Sequence, residues 1–287
     1  MGTIGRIAAT VTLGCLSINW GASAAPIAPG MGQQTTVIAG TRMTVFTYRP
    51  TSCSDPQLLL VFHGVSRNAE GYRNHARGLG DALCMLVVSP LFDEESFPSW
   101  RYQRGGIVRK RKVQDPSTWT GRLALGLIGW VRTEEGRQLA YSMIGHSGGA
   151  QFLSRFAAFI PNEARHIVIA NPSTYVFPDL QTDAPYGLGG VYAAAAAEAQ
   201  LRLYLEQPVT IFLGQEDTGT KDRNDSAPAR AQGKTRYERG LNAYKAAAKV
   251  ALDKGWSCNW RLVVLPGVGH SARKMFASKQ AVDALLP

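Results

Sequence analysis

Apolar residues fall in short runs along the chain, at 37–39, 43–48, 58–62, 85–89, 141–144, 167–170, 209–213 and 261–265. Several of these runs are continuous rather than alternating, which marks strands covered on both faces. Between most of them lie segments with apolar positions at helical spacing, at 119–133, 151–159, 237–252 and 272–286. The alanine run 193–197 continues into 201–205 and reads as one more helix, because Ala is the strongest helix former. Strands alternating with helices predict an α/β protein, with a mostly parallel, twisted sheet of about eight strands and helices on both faces. The first two runs are close enough in sequence to pair as an antiparallel hairpin.

Composition agrees with a folded chain. Of 287 residues, 45% are hydrophobic and 18% charged, too apolar for a disordered polymer. The formal charge of +10 bears on steering and solubility rather than on fold. The N-terminus reads as an address. Arg6 precedes a mostly apolar stretch, and Ala22-Ser23-Ala24 forms a small-residue cleavage site, the three-part pattern of a secretory signal peptide. The expected division is a signal at 1–24, a flexible lead-in at 25–36 and one domain at 37–287. The apolar stretch is too short for a comfortable membrane span, so no stable membrane insertion is expected once the signal is removed. The location expected is secreted or periplasmic.

Export changes how the cysteines read. Cys53, Cys84 and Cys258 remain after cleavage. Cys53 and Cys84 each precede an apolar run, so neighbouring parallel strands would place both thiols at one end of the sheet. A Cys53–Cys84 disulfide and three buried free thiols both fit this pattern. No Cys-x-x-Cys pair or His cluster occurs, so the sequence supports no metal site. Nothing resembles a nucleic-acid-binding module.

Two long connections, 90–118 and 171–190, follow expected strands and would emerge at the carboxyl edge of the sheet, where open α/β folds bind ligands. The same edge collects the candidate chemistry. Gly145-His146-Ser147-Gly148-Gly149 matches G-x-S-x-G, with a strand before it and a helix after it. That context is a sharp strand-to-helix turn exposing the Ser147 hydroxyl. A serine hydroxyl needs a base. Asp217 and His270 follow in chain order, each just past an expected strand, and would supply the acid and the base, with Glu216 as a rival acid. The strand ending in His63-Gly64-Val65 offers the Val65 N–H as one oxyanion donor, and Gly148 N–H is its expected partner. His63 and Gly64 shape this loop and, with Tyr175 and Tyr186, are the expected substrate-contacting residues. Trp100, Tyr102 and Trp119 are further aromatic candidates for a pocket wall. His146 reads as packing, and His75 and His166 carry no assigned role. A basic run from Arg101 to Lys112 reads either as a steering surface or as a solvated loop.

These features resemble an α/β-hydrolase, and more narrowly the secreted poly(3-hydroxybutyrate) depolymerase-like and esterase-like proteins. The resemblance spans nearly the whole mature chain. It includes His63-Gly64 with Arg67-Asn68-Ala69 and Tyr72, the Ser89-Pro90-Leu91-Phe92 stretch, the Gly145–Gly149 turn, and Ala170-Asn171-Pro172-Ser173-Thr174-Tyr175 with Pro185-Tyr186-Gly187. It continues through Gly214-x-x-Asp217-Thr218, Gln232-Gly233, Arg236-Tyr237-Glu238-Arg239-Gly240 and Gly269-His270. It implies an α/β-hydrolase fold and a Ser-Asp-His hydrolase that needs no cofactor, and leaves the substrate open. The ordered Ser147, Asp217 and His270 with the oxyanion loop make cleavage of small or oligomeric carboxylic esters the leading expectation. With no room past Pro287 for a separate binding module, soluble or oligomeric esters are expected over crystalline polyester. The alternatives are a peptidase or amidase using the same residues, and a non-catalytic binder on the same scaffold.

Overall fold

The computed structural model, which describes residues 1–2 and 26–286, is built on an eight-stranded sheet. The expected signal peptide lies almost entirely outside the described residues. In chain order the elements are β1 (Gly30–Ile38), β2 (Thr41–Arg49), β3 (Gln57–Phe62), α1 (Ala69–His75), α2 (Arg77–Leu83) and β4 (Met85–Pro90). A small hairpin, β5 (Val108–Arg109) with β6 (Lys112–Val113), precedes α3 (Gly121–Glu135), β7 (Tyr141–His146), α4 (Gly148–Phe159) and β8 (Ile167–Ala170). The chain ends with α5 (Ala194–Leu205), β9 (Val209–Gly214), α6 (Ala227–Ala231), α7 (Arg236–Lys254), β10 (Arg261–Leu265), α8 (Ala272–Phe276) and α9 (Lys279–Ala284). The strand order is β1-β2-β4-β3-β7-β8-β9-β10, with the first two pairings antiparallel and the rest parallel.

The continuous apolar runs have the expected cause. In β3, Leu58, Leu60 and Phe62 enter one core, and Leu59 and Val61 enter the other. The first core is closed by Leu127 and Val131 of α3, Phe152 and Phe156 of α4, and Leu201, Ala243 and Ala247 from α5 and α7. The second is thinner, with Tyr72, Ala76 and Leu79 from the α1–α2 region and Met275, Phe276 and Ala281 from α8 and α9. Helix α4 is buried along its whole length, as its Phe- and Ala-rich sequence requires.

Four expectations change. The lead-in 25–36 is strand from Gly30 onward, in register with β2 from Gly30↔Arg49 to Ile38↔Thr41. Its Gln and Thr residues face water at the sheet edge, so the strand lacks the apolar signature of a covered one. The single helix expected at 272–286 breaks in two, because Ser278 turns extended and caps α9 by accepting from the Ala281 N–H. Helices α1 and α2 fill the segment between β3 and β4, where no helix was expected. The connection 90–118, long enough to be expected to be functional or mobile, is packed, with Phe92, Phe97, Tyr102 and Ile107 in the core.

Residues 171–176 are also buried, and three side chains account for it. Arg155 donates to Thr174 O at 2.8 Å, Arg239 donates to Ser173 O at 2.6 Å, and the Gln232 amide brackets the Tyr175 main chain at 2.9 and 2.8 Å. Buried carbonyls need donors. Part of the positive charge thus serves the interior, since Arg155, Arg236 and Arg239 are all fully buried.

Cys53 and Cys84 are joined in a disulfide, with Cα atoms 5.4 Å apart. Each lies just before one of two strands whose first residues, Gln57 and Met85, pair directly. Cys258 is a half-buried free thiol. The disulfide closes a loop over a sequence separation of 31 residues. Loop-closure entropy then assigns it about 3–4 kcal/mol. We predict that Cys53→Ala with Cys84→Ala loses about that much unfolding free energy in a chemical denaturation series, with the sheet retained by circular dichroism.

Candidate active site

The turn between β7 and α4 sets the geometry. Ser147 adopts φ 57°, ψ −114°, in the positive-φ region that a residue with a side chain rarely occupies. Two glycines make the turn possible by close approach. A Cβ on Gly145 would lie 2.6 Å from Gly149 C, and a Cβ on Gly149 would lie 2.2 Å from Phe62 O. Backbone therefore packs on backbone, and the helix starts directly against β3.

Ser147 Oγ lies 3.0 Å from His270 Nε2, and His270 Nδ1 lies 2.7 Å from Asp217 Oδ2. The three residues come from the ends of β7, β9 and β10. Asp217 is buried, with its side chain fully covered, whereas its sequence neighbour Glu216 is exposed. The rival acid is thus set aside by geometry. The Asp217 carboxylate has a second partner that the sequence did not single out. Arg236 Nη1 lies 3.5 Å from Oδ1, and both side chains are out of solvent. Burial lowers the Arg236 proton affinity and the Asp217 charge opposes that loss.

A cavity of about 480 Å³ opens on Ser147 and His270. Gly64, Val65, Tyr72, Glu216, Lys221 and Asp222 are among the residues that line it. The Val65 main-chain nitrogen is close to the helix start, only 3.1 Å from where a Gly148 Cβ would be. Gly148 is the first residue of α4, so its N–H has no intrahelical acceptor. Among the described residues neither N–H has a main-chain acceptor. Two main-chain N–H groups without a main-chain acceptor thus lie at the start of the helix that follows Ser147, at its positive end.

The expected substrate contacts divide. Gly64 lines the cavity, but His63 does not. His63 is fully buried, with Nδ1 donating to Gly64 O at 2.9 Å and Nε2 accepting from Phe92 N at 3.0 Å. Its work is to shape the loop, and burial pushes its pKa down to about 4. Tyr175 is likewise buried in the core and does not line the Ser147 cavity. Tyr186 lines a different cavity, of about 770 Å³, with Arg104, Lys110 and Arg111. Its ring lies near two guanidinium groups, Arg104 at 6.0 Å and Arg155 at 5.9 Å. A third cavity, of about 330 Å³, shares Arg104 with that one and shares Val65 and Asp222 with the Ser147 cavity. Of the aromatic candidates Trp100, Tyr102 and Trp119, the latter two are core residues.

The basic run 101–112 is more ordered than a solvated loop. Arg101 covers the Phe97 ring at 4.8 Å and Arg109 covers Trp100 at 4.7 Å. Lys110 and Arg111 form the exposed tip of the β5–β6 hairpin, both at positive φ.

His146 packs as expected. Its ring centroid is 4.5 Å from that of His270, and its Nδ1 shares a hydrogen bond with Tyr72 Oη at 3.1 Å. Burial, followed by the charges of His270 and Arg236, holds it well below its ordinary pKa, so it stands neutral beside His270. Among the described residues, no group of three or more metal-ligating side chains occurs, and no helix is long and apolar enough to cross a membrane.

A strand–turn–helix bearing a serine at the carboxyl edge of a mostly parallel sheet defines the class: the chain belongs to the α/β-hydrolase superfamily. Its kinship is specific. It is similar to LpqC, a poly(3-hydroxybutyrate) depolymerase from Bordetella parapertussis, at 28% identity and TM-score 0.82, over 91% of this chain and 92% of that one. It is similar to poly(aspartic acid) hydrolase-1 from Sphingomonas sp. KT-1 at 31% identity and TM-score 0.82, over 89% of this chain and 98% of that one. An S-formylglutathione hydrolase from Agrobacterium tumefaciens shares the fold alone, at 14% identity and TM-score 0.55 over 89% of this chain and 95% of that one. No family model and no curated protein sequence matches the chain.

Two predictions follow from this packing. A methyl group at Gly149 meets main-chain oxygens of Phe62 and His63 at 2.2 and 2.8 Å. Gly149→Ala should therefore lower the unfolding free energy by more than about 2 kcal/mol, measured in urea. His63 gives a pH signature. With a folded pKa of about 4 against 6.5 unfolded, the unfolded chain binds the extra proton between these values. Stability is then intact above pH 6.5 and falls by about 3 kcal/mol as pH drops to 4. Denaturation midpoints across that range should fall with pH, and fall less in His63→Gln.

Proposed function

We propose that this chain is an exported serine esterase that cleaves small or oligomeric carboxylic esters, hydroxyalkanoate esters among them, through an acyl-enzyme. Residues 37–287 act as the catalytic unit behind a signal at 1–24. One observation carries the reading: the Ser147 hydroxyl within 3.0 Å of His270 Nε2, whose other nitrogen is 2.7 Å from Asp217.

The chemistry runs through groups already in place. His270 Nε2 takes the Ser147 proton as Oγ attacks the ester carbonyl. Asp217 accepts from Nδ1–H, so the base nitrogen faces the serine, and its charge stabilises the imidazolium that forms. The carbonyl oxygen becomes anionic between Val65 N–H and Gly148 N–H, where each donor contributes about 3–4 kcal/mol in a site of this kind. His270 then hands its proton to the departing alcohol. Water, deprotonated by the same imidazole, attacks the acyl carbonyl; the bond from that carbon to Ser147 Oγ breaks, the imidazolium returns its proton to Oγ, and the acid leaves.

The likeness to a poly(3-hydroxybutyrate) depolymerase supports the ester reading. A second reading, amide cleavage by the same three residues, draws on the likeness to a poly(aspartic acid) hydrolase. The cavities rimmed by Arg104, Lys110, Arg111 and Arg223 would favour an anionic chain in that case.

Ser147→Ala should lower kcat on p-nitrophenyl butyrate by about 10⁴-fold or more with the fold intact. Turnover persisting in that variant contradicts the assignment. Parallel rates on ester and anilide substrates of equal acyl length separate the two readings.

A further inference from the structure

We propose that Arg236 is a positioning residue for the reaction at Ser147, acting by holding the Asp217 carboxylate so that one oxygen alone faces His270. The proposal rests on the Ser147–His270–Asp217 reading and extends it to a fourth side chain.

The two carboxylate oxygens of Asp217 are divided between two cationic or potentially cationic partners. Oδ2 lies 2.7 Å from His270 Nδ1, and Oδ1 lies 3.5 Å from Arg236 Nη1. Neither the Asp217 nor the Arg236 side chain is exposed beyond 1%. A carboxylate so deeply buried is penalised unless paired. His270, a base that must shed its proton to act, does not offer a permanent charge. Arg236 does, since a guanidinium stays protonated even when burial weakens its hold on the proton.

The same guanidinium also fixes the acid's loop. It donates to Gly219 O at 3.3 Å and to Lys221 O. The main chain adds a further tie, from Tyr237 N–H to Asp217 O at 3.3 Å. Arg236 is the first residue of α7, and Thr235 caps that helix by accepting from Glu238 N–H. The first turn of a long helix is a stiff mount. A planar fork with several donors can hold a carboxylate and two carbonyls at once, which an ammonium cannot do in the same geometry. Arg236 therefore sets both the charge balance and the direction of the carboxylate; it also lines the cavity that opens on Ser147, with its hydrogen bonds going to Asp217, Gly219 and Lys221 rather than to the serine.

A purely structural arginine and a positioning one predict different results. The first changes the amount of folded protein. The second changes the Asp217–His270 hydrogen bond in protein that is folded. The test uses the full mature chain, with Arg236→Met and Arg236→Lys compared with wild type. The readouts are steady-state kinetics on p-nitrophenyl butyrate and the low-field proton resonance of His270 Nδ1–H. In Arg236→Met, kcat is expected to fall about tenfold or more with KM within about threefold, and the resonance to shift or vanish. Arg236→Lys, which keeps the charge but not the fork, is expected to recover part of both. Folded Arg236→Met with wild-type kcat and an unmoved resonance would overturn the proposal. If the Met variant does not fold, the Lys variant decides: lowered kcat with a shifted resonance supports positioning, and wild-type values refute it. If wild type shows no ester turnover, the esterase reading is what has failed. The resonance, observable without substrate, then still decides whether Arg236 orients Asp217.

Discussion

The chain reverses from strand to helix at Ser147 with almost no space to do so, and the rest of the site depends on that turn. Gly145, Gly148 and Gly149 let α4 begin in contact with the end of β3, where Phe62 O and the Val65 nitrogen are immediate neighbours. This contact brings the serine hydroxyl, the first N–H of α4 and the loop after β3 into one small volume. A side chain at the tightest position would separate them. The positive φ of Ser147 is strain of the kind held in place only by surrounding structure. The buried β3, β7 and α4 provide that structure.

Electrostatics complete what packing begins. His270 lies between a neutral, buried His146 ring and the carboxylate of Asp217. Arg236 supplies the permanent positive charge near that carboxylate. Elsewhere the arginines have mechanical work. Arg155 and Arg239 hold the segment after β8 by its carbonyl oxygens, and that segment adjoins the loop carrying Arg223 and Asn224. A basic chain is thereby less basic at its surface than its formal charge suggests. The cations that do reach the surface at Lys110 and Arg111 stand on a hairpin tip rather than on a loose loop.

Much of this was legible in the amino-acid order because covered parallel strands write themselves as continuous apolar runs. The runs at 58–62, 167–170 and 209–213 became β3, β8 and β9 within a residue. Ser147, Asp217 and His270 were legible because each follows such a run. Elements outside that code were not. Edge strand β1 is built of Gln and Thr that face water, and α1 and α2 bury only a few side chains each. Arg236 was named only within the stretch that carries the family resemblance, since sequence does not reveal which charges are buried beside a counter-charge. Tyr175 and His63 read as pocket residues, yet their surroundings are core. One hint was available: an Arg at a helix start within a motif shared with the resembling family, about one helix beyond the acid.

The central claim is that Ser147 is the nucleophile and that its reactivity comes from His270. Labelling the folded mature protein with a fluorophosphonate, followed by peptide mass spectrometry, tests it most directly. The account predicts one stoichiometric adduct, on the peptide containing Ser147, and its loss in His270→Ala. An adduct at another residue, or labelling of Ser147 undiminished without the imidazole, would contradict it.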